Sequence, residues 1–544
     1  MLSQALSAGS PKGFLSGLRR FTFASPIYNY TLLGRVPDRL LGTPPELLPG
    51  NASAGQAILA GSLIFEGRRH PLPSFKSLPD TIAQNWINYL HGFAWLADLR
   101  AVGSPQARHR AQVLLADWLS QYDTWDAVLW RPDITGTRLA SWITHFAFYA
   151  ADADTRFTEE LFGSLARQSR HLSRSVQLCG GGLDAVTAQK GLIYTGIAVP
   201  ESDHYLAQGL DLLEQESEDQ ILPDGGHISR NPQNQLKYLK ALLEVKEALI
   251  AAHVDVPNWM KSIVERMVPM TRAMRLGDGA LATFHGGSAG DPDEVDLLLA
   301  KSNVKGKPSL TSPHSGLHRL TSGKTTLVLD AGAPPSDMAN RWGHAGTLAF
   351  EMSVGKERLV VNCGATRQMG DDWHHALRAT AAHSTMVVDD TNSSELGKIG
   401  GLGRRAHNVQ CSRREIDGRA ILEATSDGYK GPFGLEHRRF LMMSPEGTEL
   451  QGEDLLIGTG GKRFAVRFHL HPNVQATLIQ HGNAVLLKPR RGRGWKLISP
   501  DREVLLEDSI YIEEWFRHRR AQQIVIPGEI YGRGAAVKWQ FVQI

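Results

Sequence analysis

Three side chains in the second half of the chain are of types that hold a divalent cation: His344 in RWGHAGTLAFEM, Asn362 in LVVNCG and His383 in RATAAHSTMVVDD. Two imidazoles and an amide oxygen on neighbouring strands could coordinate zinc, or could be buried hydrogen-bonded groups, and the spacing alone leaves both readings open. A second cluster lies in the turn Leu222-Pro223-Asp224-Gly225-Gly226-His227-Ile228-Ser229-Arg230-Asn231-Pro232. Its two glycines let the backbone fold tightly and present His227 for proton transfer and Arg230 as an anion-binding fork. A plain helix-joining turn held by Asp224 is the competing reading.

Further candidates mix aromatic rings with polar groups, as a sugar cleft does. Asn85, Trp86 and His91 share one helical stretch, and Arg138 and Trp142, at i and i+4, share a helix face. Packing in a core explains the same pattern. His469 and His471 stand at i and i+2 of a strand, so both point to one side. His374 and His375 follow Trp373, and the run Lys488 to Lys496 gathers positive charge around Trp495. Gly286-Gly287-Ser288-Ala289-Gly290 has the spacing of a hydrolase nucleophile elbow but lacks the strand and long helix that motif needs.

These residues sit in two kinds of sequence. With 544 residues, 42% hydrophobic and 21% charged, the chain has the composition of a multidomain globular protein. A net charge of +3 is too small to argue for a nucleic-acid partner. Cys179, Cys363 and Cys411 are too few and scattered for a disulfide framework. No apolar run reaches the length that spans a bilayer. No secretory signal is evident at the N-terminus, which makes cytoplasm the default expectation.

Residues 1–80 are rich in proline and read as an extended lead-in docked on the next domain. From 81 to 280 apolar residues recur at helical spacing, predicting helices over 81–101, 104–121, 136–152, 156–177, 183–198, 202–220, 233–252 and 257–275. Short Gly- and Pro-bearing joints make these successive antiparallel pairs, as in a closed (α/α) toroid. Residues 281–315 read as a linker within a Gly/Ser/Pro-rich stretch beginning at 276, and 316–544 show period-two strands with hairpin turns at Asp417-Gly418, Pro445-Glu446-Gly447 and His481-Gly482-Asn483. The expected fold class is α+β multidomain: a helical toroid, then an antiparallel β-sandwich.

Local wording adds to this. The stretches GHAGTLAFEMSVGKERLVVNCG and LRATAAHSTMVVDD, and more loosely NWINYLHGFAWLADLRA, TRLASWI and ILPDGGHISRNP, resemble the bacterial heparinase II/III-like proteins. FHLHP and the C-terminal strands are similar as well. The resemblance implies a polysaccharide lyase: a uronic acid carboxylate is neutralised, the C5 proton is removed and the bond to the C4 oxygen breaks. It implies an anionic polysaccharide as partner, a structural zinc on His344, Asn362 and His383, and a place in the cell envelope or periplasm.

The chain departs from the family at several of these positions. Trp342 replaces the first histidine of the family's His-x-His pair, and Asn362 replaces the zinc carboxylate. Gly181-Gly182-Leu183-Asp184 stands where the lyases have an Asn-His pair, and Gln233 or Asn234 stands near the catalytic Tyr position, with Tyr238 one turn later. The expected roles are therefore His227 as acid/base group and Arg230 as carboxylate partner, with Asn85, Trp86, His91, Arg138, Trp142, Asn234 and Tyr238 lining the substrate. The alternative is a non-catalytic glycan-binding or scaffolding protein on the same fold. Hydrolysis by paired carboxylates ranks last, since Asp224 is the one cleft acid to nominate.

Overall fold

The computed structural model describes residues 22–25, 27–72, 84–366, 368–397, 400–513 and 517–544. Two compact units divide the chain: Met1–Glu218 with Lys240–Lys261, and Asp219–Leu239 with Ser262–Ile544.

The first unit is helical. Its main helices are Gln84–Gly92, Leu96–Val102, Pro105–Tyr122, Pro132–Tyr149, Thr155–Ser175, Leu183–Ala198 and Asp203–Gln220. Capping follows the sequence: Ser104 accepts from Ala107 N and is followed by Pro105, and Asp154 accepts from Phe157 N. The single helix expected over 81–101 is two, because Phe93 takes a left-handed backbone (φ 59°) and Trp95 turns its indole N–H onto the Leu90 carbonyl at 3.0 Å. Helices Pro132–Tyr149 and Leu183–Ala198 meet backbone to backbone: a Cβ on Gly191 would lie 2.4 Å from Gly136 Cα. A cluster of Trp86, Phe93, Trp95, Trp118, Trp142 and Tyr149 fills the core beside them.

The lead-in is not wholly extended. Helix Ala52–Leu59 is capped by Asn51, whose Oδ1 accepts from Ser53 N at 2.9 Å and Ala54 N at 3.2 Å, and a hairpin pairs Ser62–Phe65 with Arg68–Pro71. The short side chains of ASAGQAIL hid the helix from a periodicity reading. Residues 1–21, 26 and 73–80 of the lead-in lie outside the described residues.

The second unit is a β-sandwich. One sheet runs, in spatial order, Gln475–Ile479, Ala484–Lys488, Trp495–Ile498, Gly534–Gln543, Glu449–Ile457, Glu436–Met443, Arg419–Ser426, Val409–Ile416. The other runs Leu505–Ile512, His518–Glu529, Arg463–Leu470, Glu357–Val361, Phe350–Val354, Thr325–Asp330, Leu317–Ser322, Thr311–Ser312, with Met386–Val388 added against Arg463–Leu470. All pairings are antiparallel, and the three hairpin turns read from sequence join consecutive strands. Strand Glu436–Met443 alternates buried and half-buried residues, whereas Thr325–Asp330 is buried throughout, so the two sheets differ in how their outer faces are covered. Between them Phe350 stacks on Trp539 at 5.9 Å and Phe468 meets Trp539 edge-on at 4.8 Å.

The stretch expected as a linker is only partly one. Leu276, Leu281, Phe284 and His285 are buried, and Thr283 is bonded to the buried Glu351. Its one helix is Pro292–Lys301, capped by Asp291. Backbone groups that pair with the sheet unit, invisible in composition, hold the segment down.

Candidate functional site

The turn around His227 is built from its own hydrogen bonds. Leu222 N donates to Gly226 O and Gly225 N to Leu222 O, both at 2.8 Å. Gly225 is required here: φ is +82°, and a Cβ would lie 2.2 Å from the Arg266 carbonyl oxygen. Asp224 holds the turn, its Oδ2 accepting from His314 N, Ser315 N and Ser315 Oγ, so it is not placed as one of a hydrolytic pair. Asn231 then caps the following helix, accepting from Gln233 N at 2.8 Å and Asn234 N at 3.2 Å.

His227 is 4% exposed, and burial holds its imidazole down to about 4, so the ring is neutral at neutral pH. Ser229 decides which nitrogen carries the proton. Its backbone N–H points at His227 Nδ1 from 3.1 Å, and its Oγ lies 2.8 Å away. Ser229 Oγ itself accepts from Asn231 N and from Asn234 Nδ2, which leaves its hydroxyl proton for Nδ1. Nδ1 is therefore an acceptor and the proton sits on Nε2, a buried atom with no hydrogen-bond partner among the described residues. That makes His227 a hydrogen-bond donor, which narrows the acid/base role expected from sequence. Tyr238 packs its ring against His227 at 5.5 Å and is fully buried.

Arg230 does not face a substrate carboxylate. Its guanidinium is 4% exposed and is spent within the unit: Nε donates to Ser315 O, one terminal nitrogen to Gly332 O and Ala333 O at 2.9 Å each, and the other to Asp330. Asp330 also accepts from His285 Nε2 at 3.0 Å. Burial alone would raise the Asp330 carboxyl, but Arg230 and His285 outweigh it and hold the group below its usual range. These bonds also hold the left-handed backbone of Arg230 (φ 55°).

The helical candidates separate in the same way. Arg138 is fully buried and gives its donors to Gln168 Oε1 at 2.6 Å, His91 O at 3.0 Å, Leu129 O at 3.2 Å and Thr135 Oγ1, with its guanidinium 4.5 Å over the Trp118 ring. His91 Nδ1 accepts from Trp118 Nε1 at 3.0 Å, and Trp142 meets Trp118 edge-on. His91, Arg138 and Trp142 are core residues, a correction to their expected role at a sugar surface. Trp86 is 8% exposed and lies against His70 at 4.7 Å, while Asn85 beside it is exposed. Asn234 is half-buried next to His227 through Ser229.

Of the expected zinc ligands, the structure brings His344 and His383 together. His344 Nδ1 lies 3.1 Å from His383 Nε2, but Asn362 is occupied elsewhere, its Nδ2 on Glu351 Oε1 at 3.1 Å and its Oδ1 accepting from Ser384 N at 3.0 Å. Among the described residues no three His, Cys, Asp or Glu side chains are grouped to hold a metal. Asn362 Oδ1, the atom of that side chain that could meet a metal, already accepts from Ser384 N. His469 and His471 also part: His469 bonds Ser509 and the Ala381 carbonyl, and His471 packs on Tyr511.

Three positions were not singled out from sequence. His285 links Asp330 to the backbone N–H of His344. Ser229 orients His227 and Glu351 receives Asn362. Ser229 was legible in principle, since its i+2 spacing from His227 suits a side chain to backbone turn.

Helical toroid plus antiparallel sandwich, with a polar turn built on Asp-Gly-Gly-His, defines the polysaccharide-lyase class of fold. The chain belongs to the heparinase II/III-like family: residues 80–296 match the heparinase II/III N-terminus and 304–540 the heparinase II/III-like C-terminal domain. FtsZ-localized protein C of Caulobacter vibrioides (strain NA1000 / CB15N) is 29% identical over 530 residues, 93% of this chain and 91% of that protein. Among solved structures, a heparinase III superposes with TM-score 0.71 at 12% identity, covering 99% of this chain and 92% of that one. A heparan sulfate lyase HepC mutant from Pedobacter heparinus gives TM-score 0.67 at 16% identity, covering 99% and 90%. At these identities the solved structures share the fold. No helix among the described residues is long and apolar enough to cross a membrane.

Proposed function

We propose that this protein binds an anionic, uronic-acid-containing polysaccharide and cleaves it by β-elimination, with His227 as the imidazole that meets the sugar. The observation that carries this reading is the Nε2–H of His227, a buried donor without a partner among the described residues, oriented by Ser229. In β-elimination the C5 proton passes to a base, the bond to the C4 oxygen breaks as the C4–C5 double bond forms, and a proton goes to the leaving oxygen; loss of the C5 proton places negative charge on the uronate carboxylate, and that charge is what the His227 N–H meets. A neutral imidazole N–H fixed in a water-poor site stabilises such charge where it develops. As Nε2 is buried, its engagement requires a local opening of the turn when the polysaccharide binds.

The test is ultraviolet absorbance of the unsaturated uronate product across a panel of uronate polysaccharides, including those of the source organism's envelope. A rise abolished by His227→Ala supports elimination at this group. A rise that survives the substitution removes His227 from the reaction.

A second reading, a non-catalytic glycan-binding or scaffolding protein, is favoured by one specific relationship. Arg230, the carboxylate partner nominated from sequence, is bound to Asp330 instead. The likeness to a protein named for its localisation with FtsZ supports co-localisation with FtsZ for either reading. Polysaccharide binding with no product across the panel selects the second. The family suggests the cell envelope or periplasm as location, with cytoplasm as the alternative. Imaging a fluorescent fusion beside fractionation separates them.

A further inference from the structure

The cationic run between Lys488 and Lys496 lies outside the site around His227, and its charge is segregated from the rest of the chain. From 455 to 500 the sequence holds eight Lys and Arg and no Asp or Glu, against a net +3 for all 544 residues, so the remainder is net −5. Five of the eight, Lys488, Arg490, Arg491, Arg493 and Lys496, fall on one hairpin made by strands Ala484–Lys488 and Trp495–Ile498. Trp495 does not stand among these charges: it is fully buried opposite Leu487, and both rest in the sandwich core. Leu486 stands opposite Lys496, and Lys488 follows Leu486 by two, so Lys488 and Lys496 leave by the outer face of the sheet. Arg490, Arg491 and Arg493 are exposed at the tip.

The tip is held in place. Pro489 is buried, and Ile544 N donates to the Gly494 carbonyl at 2.9 Å, which ties the tip to the end of strand Gly534–Gln543. Elsewhere on the sandwich arginines meet carboxylates: Arg414 meets Glu423 at 3.5 Å, Arg467 meets Glu507 at 3.2 Å and Arg519 meets Glu513 at 3.3 Å. None of the five hairpin cations makes a side-chain hydrogen bond or ion pair among the described residues. Like charges gathered in this way repel one another, and a bound polyanion removes that repulsion.

The surroundings narrow the polyanion. The tip residues 490–493 are three arginines and a glycine, with no ring for bases to stack on and no apolar side chain to enter a lipid surface. Position favours a long polymer. Strand Gln475–Ile479, the neighbour of Ala484–Lys488, lies beside Leu505–Ile512, one edge of the second sheet. Ser315 and Asp330, which hold Arg230 in the His227 turn, belong to the opposite side of that sheet. Five to seven strand steps separate the two, roughly 25–35 Å along the sheet at about 4.8 Å per step.

We propose that the hairpin 488–496 is a second binding site for an anionic polysaccharide, holding one part of the polymer at one edge of the sandwich while another part reaches His227. The ligand class rests on the polysaccharide reading above. The hairpin touches no reacting atom, and its effect is to raise the local concentration of sugar at His227.

The experiment titrates the full chain by calorimetry, at low and at physiological salt, with the uronate polysaccharides of the panel, polygalacturonate among them, and with neutral dextran. One variant combines Arg490→Gln, Arg491→Gln and Arg493→Gln. A control of equal net charge combines Lys301→Gln, Lys305→Gln and Lys307→Gln, all at exposed positions. Binding is expected to weaken as salt rises, to be absent with dextran, and to be about tenfold weaker in the hairpin variant than in the control, with a salt slope smaller by about two to three. On a polysaccharide that is cleaved, the hairpin variant is expected to raise KM for long chains and to leave kcat unchanged. Equal affinity in the hairpin variant and the unsubstituted chain overturns the site, and leaves the polysaccharide reading standing where product forms. Equal weakening in the control shows a general charge effect and overturns the site as well. Binding of inorganic polyphosphate or phosphatidylglycerol vesicles, with none of any uronate polysaccharide, overturns the ligand class. Binding through the hairpin with no elimination product from any polysaccharide supports the site and counts against the lyase reading alone.

Discussion

Arg230 and Asp330 form a buried ion pair, both side chains under 5% exposed, one from the turn after Gly226 and the other from the end of strand Thr325–Asp330. The pair joins two segments a hundred residues apart and takes the place of any contact between Arg230 and a ligand carboxylate. Removing one partner leaves the other charge buried alone, which costs roughly 3–5 kcal/mol. Asp330→Asn and Arg230→Leu are each expected to lower the unfolding free energy, measured by urea titration, by that order. The double variant is expected to lose less than the sum, the measure of coupling in a double-mutant cycle.

His227 and Ser229 act as one group. His227→Ala is expected to reduce kcat/KM about a hundredfold or more, as loss of a charge-stabilising donor does. Ser229→Ala removes the hydroxyl donor to Nδ1 and keeps the backbone one, so its effect is expected to be smaller and to appear in kcat more than in KM. Steady-state rates for both variants on one cleaved polysaccharide check the ordering.

Acid is expected to destabilise the fold in a defined window. Burial holds His227 down to about 4, and burial, reinforced by Arg230, holds His318 down to about 4. An unfolded imidazole takes its proton near 6.5, so between about 6.5 and 4 the unfolded chain binds more protons and stability falls as pH falls. Above that window these groups contribute no slope. Urea midpoints measured from pH 7.5 down to 4.5 are expected to be flat and then to decline, with a shallower decline in His227→Gln.

The close approach of the two toroid helices at Gly136 and Gly191 leaves no room for a methyl group. A Cβ on Gly136 would stand 2.6 Å from Ala188 Cα, a contact with rigid backbone. Gly136→Ala is expected to cost about 1–3 kcal/mol despite its better helix propensity. A thermal melt followed at the helical circular dichroism band checks it. A rise in melting temperature would show that the helices can separate at no cost.

Much of the fold was legible because it depends on local periodicity and turn chemistry. Helices such as Pro105–Tyr122 and Leu183–Ala198 fell within a residue or so of their expected bounds, since apolar spacing and Ser, Pro and Gly signals act on neighbours in sequence. Hairpins at Asp417-Gly418 and His481-Gly482-Asn483 followed for the same reason. The sequence also singled out His227, His344 and His383, because imidazoles beside Gly-rich turns and strand ends stand out.

What each polar side chain faces was decided only by tertiary structure. Arg138 reads like an anion clamp and Arg230 like its equal, yet one lies over Trp118 in a core and the other is bound to Asp330. Asn362, expected as a metal ligand, donates from Nδ2 to Glu351 and accepts at Oδ1 from Ser384 N. The proton of His227 is set by Ser229. A side chain's type states which bonds it can make, and long-range contacts determine which of those bonds are already taken.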